Sequence, residues 1–407
     1  MLNKILILLI TFLFFSLLSC DDKPGESPKS ENTIKFWHFW SEPNQRVAIK
    51  SLVEQFEAEN NCKVEMTELS WGDGKTKLFA AFNAGNPPDV LELGSDWVAQ
   101  FSSSGVLKQL RDDEMGIENF IEFSLNPAYY ETKLYALPWI VDTRVLFYNT
   151  DLVNLDEASL SDINKITAEA SVINEQKGIY GWGANGSDRH RLYKKIVSMI
   201  WSYGGDILDC NNKPVFNSKE SALALDKYAE LSRIGLIETQ RQIDAAFVDG
   251  KVAFWISGGW LLEKIKNENP NLNYKVMTVP GVNGNQGISF AGGEYLAVSN
   301  NSQNTELSEK FVRFMTDGKN SIEFCKQVIE AGFPADKNYY NDEFYSTQPD
   351  RLIFAKQLES ARMTPVHPKW LEIEEILEDA AVQVIYGKMS AKDALINAEY
   401  KVKELMK

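Results

Sequence analysis

An α/β protein of two domains is what this sequence predicts, on three observations. From residue 33 onward, short apolar strands alternate with capped helical segments, the rhythm of a largely parallel sheet with helical crossovers. The 407 residues exceed what one hydrophobic core usually spans, even without a short leader. An extended run at 137–149, LPWIVDTRVLFYN, is long enough to leave one lobe and enter another.

The first element is a leader. After Met1-Leu2-Asn3-Lys4 comes an apolar run over 5–18, broken only by Thr11 and Ser16, and then Ser19-Cys20. One cation, a short hydrophobic stretch and a small residue before the break describe an export signal, and the run is too short for a comfortable membrane span. Residues 17–20, LLSC, resemble a bacterial lipobox. That resemblance makes 1–19 a lipoprotein signal peptide and Cys20 the lipid-modified anchor, with a plain secretory peptide or an uncleaved anchor as the alternative. Residues 21–31, DDKPGESPKSE, are charged and rich in Pro, Gly and Ser, which suits a solvated tether over 20–32.

The folded body opens with a strand over 34–36 that runs into IKFWHFWSE, residues 34–42. Its cluster of rings follows neither the alternation of a buried strand nor the spacing of a buried helix, so both faces of a turn are expected to carry rings. A helix should then start at Ser41 as N-cap, with Pro43 in its first turn and Val47, Leu52, Val53 and Phe56 at helical spacing. Residues 63–66 alternate like a strand, a second helix runs through Leu78, Phe79 and Phe82 to Gly85, and 90–93 form the next strand. Ligands of such sheets sit at the carboxyl ends of strands, where IKFWHFWSE falls. GIYGWG at 178–183, a helix around 192–201 and the strand-like 251–260 continue the rhythm, and from Glu306 the pattern is mostly helical.

Composition narrows the function. With net charge −15 and no evident basic run, the chain has no footprint for nucleic acid or an anionic membrane face. Cys62, Cys210 and Cys325 form no metal or disulfide pattern, and the three histidines are scattered, so no metal is expected. No HExxH or GxSxG occurs. Gly74-Lys75-Thr76 echoes a phosphate loop, but Leu69 stands where that loop needs Gly. Residues 181–186 match GxGxxG, yet Trp182 inside the turn and the lack of a preceding apolar strand argue against a dinucleotide. Neither a cofactor nor a catalytic residue is expected. Carboxylates are numerous enough to supply a glycosidase pair by chance, so a secreted glycoside-acting enzyme is the alternative from another class.

Four segments then fix a resemblance: GNPPDVLELGSDWVAQFSSSGVL at 85–107, ALPWIVDTRVLFYNTDL at 136–152, AAFVDGKVAFWISGGW at 245–260 and SFAGGEYLAVS at 289–299. In this order they resemble family 1 extracellular solute-binding proteins, the sugar-binding components of ABC importers that include maltose-binding protein, and the similarity runs from about residue 33 to the C-terminus. The resemblance implies a periplasmic-binding-protein-like fold: lobe 1 over 33–140 and 297–345, lobe 2 over 141–296 and 346–407, joined by hinge strands with a ligand cleft between them. It further implies a monomer outside the cytoplasm, tethered to the membrane through Cys20, that takes a carbohydrate and serves permease subunits. A surface adhesin or sensor with the same clamp is the remaining alternative. Asp96 and Asp142 fall on sugar-binding acidic positions of the family, and Trp260 and Trp370 on stacking tryptophans. Trp97 and Glu374 stand where maltose-binding protein has Arg, and Leu93 where it has Trp, so the ligand is not handled as maltodextrin is.

Elementary chemistry asks for the same site. Pyranoses present C–H faces that lie on aromatic rings and hydroxyl rims that need several hydrogen bonds. Trp37 and Trp40 are therefore candidate floor residues, with His38, Ser41 and Glu42 as rim. Trp71, Trp97, Gly293, Glu294 and Arg362 are further candidate contacts, as is Trp182 in its Gly-rich turn. Trp255 divides evenly between core and cleft, and Gly259, before Trp260, lets backbone come close to a ligand.

Overall fold

The computed structural model describes residues 32–186, 188–282, 284–339 and 342–407; the expected leader, Cys20 and nearly all of the tether lie outside the described residues. The chain enters through β1 (Thr33–His38), which continues to His38 because β2 (Lys63–Glu68) and β3 (Val90–Gly94) pair with it in parallel on either side. Alternation therefore holds through the aromatic run: Ile34, Phe36 and His38 are buried and Lys35 and Trp37 face the other way, so only 39–42 form the turn. Helix Pro43–Asn60 is capped by Glu42, not Ser41, since Glu42 and Gln45 form a capping box in which the Glu42 amide donates to Gln45 Oε1 at 3.1 Å. All five residues of β3 are buried, as a strand covered on both faces requires.

After a two-residue ladder of β4 (Tyr129–Tyr130) and β5 (Lys133–Leu134), β6 (Ala136–Thr143) joins the first sheet. Arg144 alone separates it from β7 (Val145–Asn149), which belongs to the second sheet. That sheet is completed by β8 (Tyr180–Asn185), β9 (Gly235–Glu238), β10 (Val252–Ser257) and β11 (Tyr274–Met277), in the order β11-β7-β10-β8-β9. The chain returns through β12 (Ser289–Val298), antiparallel to both β3 and β6. β13 (Phe333–Pro334) lies on the far edge of β6, and β14 (Ala361–Arg362) lies beside the start of β12. The protein is thus a two-lobed α/β structure with mixed sheets. First-sheet pairing reaches Thr143 and resumes at Ala291, so it claims 141–143 and 291–296, which the sequence reading assigned to lobe 2. Ladder hydrogen bonding is continuous through those residues in the first sheet, so two crossings lie at Arg144 and Ser289-Phe290, and a third lies between β13 and the closing helices.

The closing helices, Trp370–Ile385 and Ala391–Leu405, pack on Leu192–Ser202 and Lys219–Arg233 in the second lobe. No helix among the described residues is long and apolar enough to cross a membrane.

One buried acid holds the turn after β1. Glu92, on β3, is fully buried and its Oε2 accepts the Phe39 amide at 2.8 Å. Burial pushes its pKa from 4.5 to about 8. A raised native pKa means that the folded state holds a proton that the unfolded chain releases, so stability falls as pH rises from about 4.5 to about 8. Glu92→Gln should flatten that slope by up to about 1.4 kcal/mol per pH unit in urea denaturation series. An unchanged slope would mean that Glu92 is ionised in the fold.

Candidate ligand-binding cleft

The carboxyl ends of β1, β3, β6 and β10 and the middle of β12 converge on one cavity of about 220 Å³. On the first lobe its aromatic wall is built in layers. Trp71, 38% exposed, stacks on Phe39 with centroids 4.2 Å apart and planes 20° from parallel, and lines the cavity. Trp97 is absent from the cavity wall; it is buried edge-on to both rings. Trp40 reaches the cavity wall while packing edge-on against Trp139 and Phe324.

Asp96 follows β3 on the same wall. Its Oδ2 accepts the Tyr193 hydroxyl at 3.0 Å and lies 3.6 Å from His190 Nε2, so the lobes touch here. His190 Nδ1 lies 2.8 Å from Glu374 Oε1. Burial lowers the His190 pKa to about 4, leaving the ring neutral, and burial beside Asp96 raises the Glu374 carboxyl well above the carboxylate range. Donor atoms of Asp96, His190 and Glu374 lie within 4.8 Å of one another, the one such group among the described residues. His190 turns a different nitrogen to each carboxylate, so a single ion would gain only one of those contacts from the ring.

At the crossing, Arg144 Nη1 pairs with Asp142 Oδ2 at 2.5 Å, and its guanidinium lies over the Trp260 ring at 4.6 Å. Trp260 is oriented from behind by Asp244, whose Oδ2 accepts the indole N–H at 2.9 Å. Asp244 also accepts from Trp255 and Ser257, which ties the start of helix Trp260–Glu268 to β10. On β12, a Cβ at Gly293 would sit 2.4 Å from the Ile140 carbonyl oxygen, so only glycine lets the two strands approach here. Beside it Glu294 lines the cavity, its pKa raised well above the carboxylate range by burial next to Asp142 and Glu92. Trp260 and Arg191 also line an adjoining cavity of about 380 Å³, with Gln240, Arg241 and Lys264.

Of the residues expected from sequence, Trp40, Trp71, Asp96, Asp142, Trp260, Gly293 and Glu294 line the cavity. Others do not. Trp37 lies on the opposite face of β1 from His38, and His38, 1% exposed with its pKa lowered to about 4 by burial, belongs to the first-lobe interior. Ser41 and Glu42 start the helix, and Gln45, one turn on, reaches the cavity in their place and donates to Glu330 at 2.8 Å. Trp182, Trp255 and Trp370 are each 1% exposed inside the second lobe. Arg362 is half exposed, 3.9 Å from Asp206, and Gly259 caps a helix outside the cavity wall. Sequence reasoning missed Arg144, His190, Arg191, Lys194 and Phe290. A signal exists: residues 188–195, DRHRLYKK, are a dense basic run in an acidic chain, which corrects the expectation of no basic run.

Comparison with known proteins agrees with this architecture. Residues 51–353 match the family described as "Bacterial extracellular solute-binding protein". The galactooligosaccharide-binding protein of Bacillus subtilis is 29% identical over 406 residues, covering 94% of this chain and 92% of that protein. A maltodextrin-binding protein of the same organism is 25% identical, covering 98% and 97%. Among solved structures, the GacH receptor of Streptomyces glaucescens, studied without ligand and with acarbose, superposes with a TM-score of 0.80 at 24% identity, covering 92% of this chain and 98% of that one. A cyclo/maltodextrin-binding protein complexed with maltotetraose gives 0.79 at 20% identity, covering 94% and 99%.

Proposed function

The chain belongs to the bacterial extracellular solute-binding proteins, and from that premise we propose that it captures a saccharide between its lobes and delivers it to the permease of an ABC importer. The observation that carries this reading is the pairing of Trp71 on one lobe with Trp260 on the other across a single cavity rimmed by Asp96, Asp142 and Arg144. Two rings meet the C–H faces of a pyranose while the charged rim reads its hydroxyls. The adjoining cavity beyond Trp260 and Arg191 gives room for further units, which favours an oligosaccharide. The relatives named for galactooligosaccharide and maltodextrin binding support the same ligand class. We take the lobes to swing about Arg144 and Ser289-Phe290, where the chain crosses between sheets.

Binding without hydrolysis is part of the reading. Asp142 pairs with Arg144 and Asp96 accepts the Tyr193 hydroxyl, so each of these carboxylates is engaged by the protein itself. A thermal-shift screen against a glycan panel tests the reading, because a ligand at 100 times its dissociation constant adds about 2.7 kcal/mol to stability. At least one saccharide should raise the melting temperature and be recovered intact. A panel with no response, or release of shorter products, would overturn it.

Anchoring belongs to the same proposal. Cys20 ends the lipobox-like LLSC, and relatives in Streptococcus pneumoniae are named solute-binding lipoproteins. Cys20→Ala should abolish lipid labelling and move the protein from the membrane to the soluble extracytoplasmic fraction. Retained label and membrane association would exclude Cys20 as the anchor.

A further inference from the structure

The charges facing the cavity are unequally satisfied. Each acid on its wall has a polar contact or is kept protonated by burial: Asp142 pairs with Arg144, Asp96 accepts the Tyr193 hydroxyl, Glu330 accepts from Gln45 and Asn44 through one oxygen, and burial raises the Glu294 carboxyl. Two cations have no such contact. Lys194 is 9% exposed and its ammonium lies 5.0 Å from the Phe290 ring centroid and 5.6 Å from that of Tyr193. Arg191 stands one turn before it, at the start of helix Leu192–Ser202, and lines both cavities. Among the described residues neither has an ion pair or a side-chain hydrogen bond.

An ammonium taken from water without a direct ion pair is costly, and ring faces return only part of that. Asp96 and Asp142 act on Lys194, and Glu374 on both cations, only at a distance; neither cation makes an ion pair among the described residues. We infer that the saccharide carries an anionic group, a carboxylate, sulfate or phosphate, held by Lys194 and Arg191. The inference rests on the saccharide reading of this same cleft. Arg191 supplies a planar pair of donors and Lys194 a point charge from beside it, an arrangement suited to an oxyanion. Burial, with Arg191 and Arg144 nearby, pulls the Lys194 pKa to about 8 against the opposing pull of Asp96 and Asp142.

The test is calorimetric titration of the mature protein with matched pairs: oligogalacturonides against galactooligosaccharides, oligoglucuronides against glucooligosaccharides, and oligomannuronides against mannooligosaccharides. Sulfated galactooligosaccharides and hexose phosphates form the further arms, and the arm that binds best names the anion. The expected result is one anionic probe bound about tenfold or more tightly than its neutral counterpart, as a charged hydrogen bond in a closed site provides. That preference should shrink in high salt and in Lys194→Met, and persist in Lys194→Arg. If the methionine variant does not fold, the salt series and the arginine variant carry the test. A neutral saccharide bound as tightly as or tighter than every anionic probe overturns the inference and leaves the saccharide reading standing. Binding of no probe in either set removes both.

Discussion

Trp260→Ala is expected to weaken saccharide binding by about 2 kcal/mol or more, roughly thirtyfold, in calorimetric titration. The ring is held on three sides. Asp244 accepts its indole N–H, Arg144 covers a face at 4.6 Å, and a Cβ at Gly258 would meet the ring at 2.1 Å, so the glycine leaves space that the indole fills. Truncation removes the second lobe's stacking surface and frees Arg144 from its platform, so both the apolar and the charged part of the site lose their placement. Asp244 keeps Trp255, Ser257 and Gln240 as donors, so the fold should survive. Trp260→Phe retains a ring without the anchoring N–H and should fall between. A folded Trp260→Ala that binds as the parent does would remove this residue from the site.

Asp142→Ala is expected to cost about 3 kcal/mol of stability in chemical denaturation, because it strands a buried guanidinium. The Arg144 side chain is 6% exposed and Asp142 is its one acidic partner among the described residues. The loss should be largely recovered in Asp142→Ala combined with Arg144→Met, since removing both partners leaves no unpaired charge. A single mutant as stable as the parent would mean that water reaches Arg144. Because this pair sits at the crossing from β6 to β7, the double mutant separates the stability of the crossing from ligand contact. Even when refolded to parental stability, it should bind saccharide weakly.

How far the molecule was legible in its sequence follows from what local patterns encode. The α/β rhythm is local, since strand alternation and helical spacing are read within about ten residues. The long run across 137–149 also announced a crossing, although its position at Arg144 depends on ladder pairing with β12, about 150 residues away in sequence. Tryptophans were harder. GIYGWG suggested a ligand loop, but a Cβ at Gly181 would lie 2.1 Å from the Ala170 carbonyl oxygen and one at Gly183 2.7 Å from the Trp255 ring. Those glycines serve close packing around a buried strand, and Trp182 is buried with them. Trp370 likewise opens a helix whose buried face depends on partners distant in sequence, Leu192–Ser202 among them. Lys194 escaped notice because charge on a helix ordinarily faces water, and only the tertiary fold buries this one.

Asp96 of the first lobe touches Tyr193 and His190 of the second beside the cavity. On the proposed function, a saccharide would enter when the lobes part and be enclosed when they meet again. Small-angle X-ray scattering of the mature protein, without ligand and with a saturating saccharide from the panel, measures this directly. A fall in the radius of gyration on binding is the predicted result. An unchanged radius at demonstrated saturation would contradict it and point to a preformed pocket.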